Sequence, residues 1–331
     1  MLRVVFFRAP AFWPALVLLS CALLLQGCSL LPKKGEDATA NRDEAAITTN
    51  GQPHKDGRDA FTLEVESPNK DVTEYLQTHL DLQRYRKLDD LEASEVSRLM
   101  VAAEANARGL LNTLGYFTPT ITLELKETPD SDKAPRNIHV EVDPGPPTKV
   151  EKVQIDFAGP VADDPNAQAQ RSEIRSGWRL PPGQIFTQSD WEAAKGFGLR
   201  TLSAKRYPTA RTASSKADID ADQSQANLQV GYETGPAYRF GPLTINGAQR
   251  YDTVAARRIA RLPTGEDYDQ QKLLDAQLRL ASSGYYDSVF LTMNTDEGVD
   301  PQAAPITAQV REAPLQKVVL GVGFTSDSGP R

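Results

Sequence analysis

The chain has 331 residues, 40% of them apolar, with 37 basic and 44 acidic residues and a net charge of −7. That length and apolar content support two or three domains with real cores, and the acidic balance argues against nucleic-acid binding, which needs a concentrated basic face. Cys21 and Cys28 are the only cysteines and both lie near the N-terminus, so a disulfide, a thiolate metal site or a cysteine nucleophile in the body of the chain is excluded.

Residues 1–27 read as a signal peptide. Arg3 and Arg8 precede an apolar stretch from Ala9 to Leu25, followed by Leu25-Gln26-Gly27-Cys28-Ser29, the charged start, apolar middle and small residue of a secretory signal. The last five residues resemble a lipoprotein cleavage site, which implies acylation of Cys28, although Gln26 is an uncommon occupant of its position. Cleavage by the general signal peptidase and retention as an N-terminal anchor stay open, the anchor being disfavoured by Pro14 within the stretch. Loss of the segment moves the net charge from −7 to −9. Residues 28–59 read as a disordered tether: after Leu31 almost nothing is apolar, and about 30 residues of flexible coil reach on the order of 30 Å.

From Phe61 the chain repeats itself three times. Leu111-Asn-Thr-Leu-Gly115-Tyr116-Phe117 is echoed by Leu280-Ala-Ser-Ser-Gly284-Tyr285-Tyr286, and more weakly by Leu202-Ser-Ala-Lys-Arg206-Tyr207-Pro208. Each echo closes a helix. Val96, Leu99, Met100, Ala103, Ala107, Leu110, Leu111 and Leu114 make a 3- and 4-residue stripe ending at a glycine suited to a left-handed cap. Leu273, Leu274, Gln277, Leu278 and Ala281 precede Gly284, with Leu278 on the expected apolar stripe, and Thr187-Gln-Ser-Asp190 reads as a cap before Trp191. The aromatics Tyr116, Tyr207 and Tyr285 are expected as core plugs at the corner from helix to strand.

A second echo, Leu180-Pro-Pro-Gly183-Gln-Ile-Phe186 and Leu262-Pro-Thr-Gly265-Glu-Asp-Tyr268, is absent from the first unit; a third, around Gly145-Pro146, Gly235-Pro236 and Ala313-Pro314, closes all three. Alternating residues predict strands: Phe61, Leu63, Val65, then Ile121, Leu123, Leu125 and Ile138, Val140, Val142 in unit one. In unit two they are Val153, Ile155, Phe157 and Leu228, Val230, Tyr232. Unit three has Leu243, Ile245, then Val289, Leu291, Met293 and Ile306, Ala308, Val310. Thr209 to Gln225 is polar and reads as a long, mobile hairpin. The order in each unit is strand, helix, helix, strand, strand.

At the C-terminus Val318, Leu320, Val322 and Phe324 alternate with Gly321, Gly323 and Thr325. That is the apolar-out, small-in pattern of an outer-membrane strand, which cannot span alone because its backbone needs a closed barrel. An edge strand ending a soluble domain has the same pattern. Catalytic chemistry is thin. His54, His79 and His139 show no metal-ligand spacing, Gly321-Val-Gly323 lacks a dinucleotide-binding context, and Asp163-Asp164-Pro165 reads as a turn; no catalytic, cofactor or metal residue is expected.

The repeat order, the helix-closing Gly-Tyr and the exit Gly-Pro resemble the POTRA domain of the BamA/TamA outer-membrane assembly superfamily, and three such units before a barrel-like strand are similar to its translocation and assembly module (TamA) branch. The resemblance covers roughly residues 61–331. It implies an α+β chain of three tandem POTRA domains (β-α-α-β-β) at 60–148, 149–238 and 239–315, then the first strand of a truncated outer-membrane β-barrel at 316–331. It also implies an outer-membrane location with a periplasmic, non-enzymatic arm, unfolded outer-membrane or autotransporter clients, and a TamB-like partner anchored in the inner membrane. An unpaired outer strand in each small sheet would accept extended peptides by strand addition. The expected templates are Thr120, Thr122, Leu123 and Leu125 in unit one and Val289, Leu291, Thr292 and Met293 in unit three. A two-partner secretion porin arm and a lipid-anchored periplasmic adaptor are the alternatives.

Overall fold

The computed structural model describes residues 59–88 and 91–316, and the backbone of 324–325 and 329–330. Three βααββ repeats follow one another, each built on its own three-stranded sheet and its own apolar cluster.

In the first repeat β1 (Thr62–Glu66) leads into α1 (Lys70–His79), a short α2 (Leu82–Tyr85) and α3 (Ala93–Thr113), then β2 (Thr120–Glu127) and β3 (Arg136–Asp143). The central β3 pairs with β1 in parallel and with β2 antiparallel. The stripe on α3 folds as its spacing predicts: Val96, Ala103, Ala107 and Leu111 are buried against Leu63, Val65, Ile138 and Val140. At the start of this helix the Glu95 side chain accepts from the Glu92 backbone N–H at 3.0 Å, satisfying an amide that has no partner within the first turn. The extra turn α2 was not legible as a separate element.

The second repeat runs β4 (Lys149–Ala158), α4 (Gln168–Ser176), α5 (Gln188–Ser203), β5 (Arg211–Asp220) and β6 (Gln225–Glu233), with β6 central between parallel β4 and antiparallel β5. One expectation needs correction here. Residues 209–225 form no loose hairpin, because Arg211–Asp220 is a ten-residue strand laddered to β6 along its length. Arg211 to Lys216 are all exposed and show no alternation, so the backbone ladder holds that half of the strand, while Ala217 and Ile219 pack against the core. In β4 a register shift between Val150 and Lys152 changes the side-chain parity, which lets Val150 join a core that Val153, Ile155 and Phe157 also contact.

The third repeat runs β7 (Phe240–Asn246), α6 (Thr253–Ala260), α7 (Gln270–Ala281), β8 (Tyr286–Met293) and β9 (Ala304–Glu312), with β9 central. Here the helix register differs from expectation. Ala276 and Leu280 are buried, whereas Leu278 is 62% exposed, because the core-facing arc of α7 runs through Leu273, Ala276 and Leu280. The corner aromatics differ too. Tyr207 is fully buried and Tyr116 half-buried, but Tyr285 is 46% exposed against Tyr251, and Tyr286 enters the core in its stead.

The turns that precede α5 and α7 join the repeats. Gly183 donates to the Val150 carbonyl, Val150 to Gln184, and Phe186 to Thr148, each at 2.8 Å, while Thr148 donates to the Gly115 carbonyl at 2.9 Å. The next junction repeats this pattern: Gly265 donates to Phe240, Phe240 to Glu266, Tyr268 to Tyr238, and Tyr238 to the Arg206 carbonyl. The Leu-Pro-x-Gly echo is therefore an inter-repeat clasp. Gly115 (φ +90°) and Arg206 (φ +64°) occupy the same left-handed corner beneath it.

Beyond Gln316 the expected barrel strand falls largely outside the described residues. What is described is a short antiparallel pair, β10 (Phe324–Thr325) with β11 (Gly329–Pro330).

Candidate docking edges

Each three-stranded sheet has one parallel outer strand (β1, β4, β7) and one antiparallel outer strand (β2, β5, β8). An outer strand leaves alternate backbone N–H and C=O groups without ladder partners, which makes it a template for another strand. The clasps occupy the starts of two parallel edges, through Lys149 bridging Ile185 and Arg239 bridging Asp267. The antiparallel edges lie outside that arrangement.

The sequence-predicted residues lie on two of these antiparallel edges. Thr120, Thr122, Leu123 and Leu125 sit on β2 opposite Asp143, Glu141, Val140 and Ile138. The threonines are exposed and the leucines half-buried against the core. Val289, Leu291, Thr292 and Met293 sit on β8 opposite Val310, Ala308, Thr307 and Ile306; Leu291 is buried, Val289 and Met293 half-buried, Thr292 exposed. The two groups belong to separate sheets and form two edges. Cys28 lies outside the described residues.

Sequence reasoning missed a third edge, β5, which has the same place in its sheet. Its charged side chains pair locally, Arg211 with Glu233 at 2.6 Å and Lys216 with Asp218 at 3.3 Å, a charged edge of the sort that discourages promiscuous sheet growth. It also missed Gln277. This α7 side chain accepts a hydrogen bond from the Leu291 N–H at 2.9 Å, at the centre of β8. Among the described residues no side chain accepts from a β2 or β5 backbone N–H in this way.

One ionic cluster stands beside the second clasp. Asp164 receives hydrogen bonds from the Tyr207 hydroxyl at 2.7 Å, the Asn166 amide at 2.9 Å and the Arg206 guanidinium at 2.8 Å. The Tyr207 bond, with those from Asn166 and Arg206, outweighs partial burial and holds the Asp164 carboxyl at about 2. Arg206 also pairs with Asp267 of the third repeat, so its side chain bridges two repeats from a backbone conformation that L-residues rarely adopt. Glu312 is likewise held at about 2, first by Arg250 and then by the backbone amides of Arg250, Gln249 and Tyr251, which ties the loop after β7 to the end of β9.

Among the described residues no group of three His, Cys, Asp or Glu side chains is placed to hold a metal. His79 stacks on Tyr75, and His139 lies between Glu64 and Glu66. No described helix is long and apolar enough to cross a membrane.

Two segments of the chain match known family models. Residues 62–144 match the family model described as POTRA domain TamA domain 1, and residues 238–313 match that described as POTRA, surface antigen variable number repeat. Among solved structures, Haemophilus influenzae BamA POTRA3-5 is 16% identical with a TM-score of 0.44, covering 77% of this chain and 96% of that one. POTRA1-3 of Omp85 from Anabaena is 16% identical with a TM-score of 0.29, covering 78% and 97%. BamA from Haemophilus ducreyi lacking POTRA domains 1-3 is 16% identical with a TM-score of 0.43, covering 55% of this chain and only 32% of that one. With TM-scores below 0.5, these likenesses carry no argument here. The two family models match the first and third of three repeats that share one architecture, so those two repeats are similar to POTRA domains.

Proposed function

We infer that the three repeats are the periplasmic arm of an outer-membrane protein assembly or autotransporter translocation system, docking extended segments of clients and partners on their antiparallel edges. The observation that carries this reading is the recurrence of an outer antiparallel strand, β2, β5 and β8, in the same topological place in every repeat. Backbone pairing is nearly indifferent to sequence, which suits a device that accepts many unfolded chains. The description of the first family model favours the translocation and assembly module (TamA) branch. In that branch Thr120, Thr122, Leu123 and Leu125 would meet an inner-membrane-anchored, TamB-like partner, and Val289, Leu291, Thr292 and Met293 would meet the client near the membrane. Attachment to the outer membrane would come from a barrel opening at 316–331, a lipid on Cys28, or both.

Site-specific photocrosslinking along β2 and β8 in cells tests the docking mode. Crosslinks to envelope proteins that recur every second residue support strand pairing; crosslinks confined to the helical faces refute it. Proline variants sharpen the result, because N–H groups of adjacent residues point to opposite sides of a strand. The Leu291 N–H is bound by Gln277 on the outer side, so Leu291→Pro removes an outward donor, whereas Thr292→Pro breaks the ladder to β9. Leu123→Pro and Thr122→Pro make the corresponding pair on β2, and a folding check accompanies each.

A further inference from the structure

The eight large apolar residues that stand exposed among the described residues are unevenly spread. Val254, Leu274, Leu278, Tyr285, Phe290 and Leu315 belong to the third repeat, against Val101 in the first and Ile185 in the second. Two of them, Leu274 (42% exposed) and Leu278 (62%), lie one turn apart on α7. On a helix of 100° per residue they fall on the same side of Gln277, away from the core-facing Leu273, Ala276 and Leu280. Gln277 reaches the free edge of β8, so the two leucines flank that edge. When the repeats are aligned on Leu111, Leu202 and Leu280, the places of Leu274 and Leu278 are taken by Ala105 and Gly109 on α3 and by Gly196 and Arg200 on α5. None of these four carries a large apolar side chain, so the leucine margin belongs to the third repeat alone.

Gln277 itself does what an added strand would do. Its Oε1 accepts from an outward N–H of an edge strand at 2.9 Å, the role of a backbone carbonyl in a ladder. The aligned residue in the first repeat, Arg108, donates instead to the Pro119 carbonyl ahead of β2, leaving the β2 amides uncovered. We propose that Gln277 is a latch occupying the strand-addition slot of β8, displaced when the third repeat takes up an extended segment with apolar residues at every second position, whose apolar side chains then rest on Leu274 and Leu278. The occupant follows from spacing as well as chemistry. Residues four apart on a helix are separated by about 6 Å along its axis, and alternate residues of a strand by about 6.7 Å. A strand beside α7 therefore meets the two leucines with consecutive side chains of one face. Such alternation is the pattern of a membrane β-strand before it enters a barrel.

This inference rests on the edge-docking reading above, and the test separates the two. The full chain is titrated with a soluble eight-residue peptide of alternating leucine and threonine flanked by lysines, and with a shuffled peptide in which the leucines are contiguous. Binding is followed by amide exchange at β8. Without peptide, Gln277→Ala speeds exchange of the Leu291 amide relative to wild type. With the alternating peptide, Gln277→Ala binds about five-fold tighter, the equivalent of one net hydrogen bond no longer broken, and Gln277→Glu binds more weakly because a carboxylate holds the amide harder. Leu274→Ser combined with Leu278→Ser, both on the exposed face, leaves the fold intact and abolishes preference for the alternating peptide. Protection of β8 by both peptides equally, or an affinity unmoved by the Gln277 variants, overturns the latch while edge docking stands. Protection of β8 by neither peptide in any variant overturns both.

Discussion

Replacing Gly115 with alanine, alongside the same change at Gly284, isolates the strength of the inter-repeat clasp. Both glycines end the long helix of a repeat in a left-handed conformation, φ +90° and +78°, which costs a residue with a Cβ about 1–2 kcal/mol. Beyond that the positions differ. A Cβ at Gly115 would sit 2.0 Å from the Phe186 carbonyl oxygen and 3.6 Å from the Ile185 side chain, whereas at Gly284 nothing lies within 4 Å. At Gly115 the turn must move, and it carries the bonds from Phe186 to Thr148 and between Val150 and the Gly183–Gln184 segment. Each is worth about 1 kcal/mol net. Gly115→Ala should therefore cost about 3–5 kcal/mol and Gly284→Ala about 1–2 kcal/mol. Trp178 and Trp191 are both buried in the second repeat, so tryptophan fluorescence during urea unfolding reports on the unit that loses its anchor. Limited proteolysis should show a new cut between Gly145 and Lys149 in Gly115→Ala only. Equal losses in the two variants would refute the clasp as an energetic link and leave only backbone strain.

Four further outcomes follow from single residues. Leu111→Ala, fully buried, should destabilise the first repeat by about 2–5 kcal/mol, while Leu278→Ala on the exposed side of α7 should change stability by less than about 0.5 kcal/mol; chemical denaturation of each variant decides. Asp164 has a folded carboxyl at about 2 against an ordinary 3.8, so its contribution is present above about pH 4 and lost as pH falls towards 2. With solvent screening that is on the order of 1 kcal/mol, and Asp164→Asn should flatten stability across that window in acid-denaturation curves. Arg206→Ala removes the bridge to Asp164 and Asp267 but keeps the left-handed strain, so it should loosen the second junction more than Arg206→Gly does, read by cleavage between the second and third repeats. Metabolic fatty-acid labelling should mark wild type and not Cys28→Ser; absence of label in both would leave an unacylated secreted protein.

The parts legible in the sequence are those where one face of an element is buried. The stripe through Val96, Ala103, Ala107 and Leu111 and the alternation of Ile138, Val140 and Val142 fold as read, because burial enforces the period. Where burial is not the constraint, reading fails. Arg211 to Lys216 form a strand through backbone pairing with no buried face, so polarity suggested a loop. On α7, Leu273, Leu274, Leu278 and Leu280 spread over a wider arc than the core can cover, and the sequence does not say which are left out; the structure excludes Leu274 and Leu278. The turn Leu262-Pro-Thr-Gly265 was visible as an echo, but its role lies between repeats, where a pattern within one unit carries no information. Gln277 had no signal, since a glutamine on a helix is ordinarily a solvated side chain.

The clasp also accounts for which edges stay open. It uses the start of the parallel outer strand of each following repeat, through Val150 and Phe240, so chain connectivity consumes part of β4 and β7. The first repeat has no clasp, yet the start of its parallel edge is held in another way: Ala60 donates to the Arg86 carbonyl, and Arg86 pairs with Asp59. In all three units the antiparallel outer strand is left without such a cover. If docking followed exposure alone, the three edges would be equivalent, but their side chains are not. β2 presents threonines and uncovered amides, β5 a charged row, and β8 an amide already held by Gln277 beside two exposed leucines. One backbone plan therefore offers three chemically distinct margins. A proline scan that impairs docking equally at β2, β5 and β8 would mean that backbone pairing alone governs recognition; unequal loss, greatest at one edge for a given partner, would mean that the side chains beside each edge sort the partners.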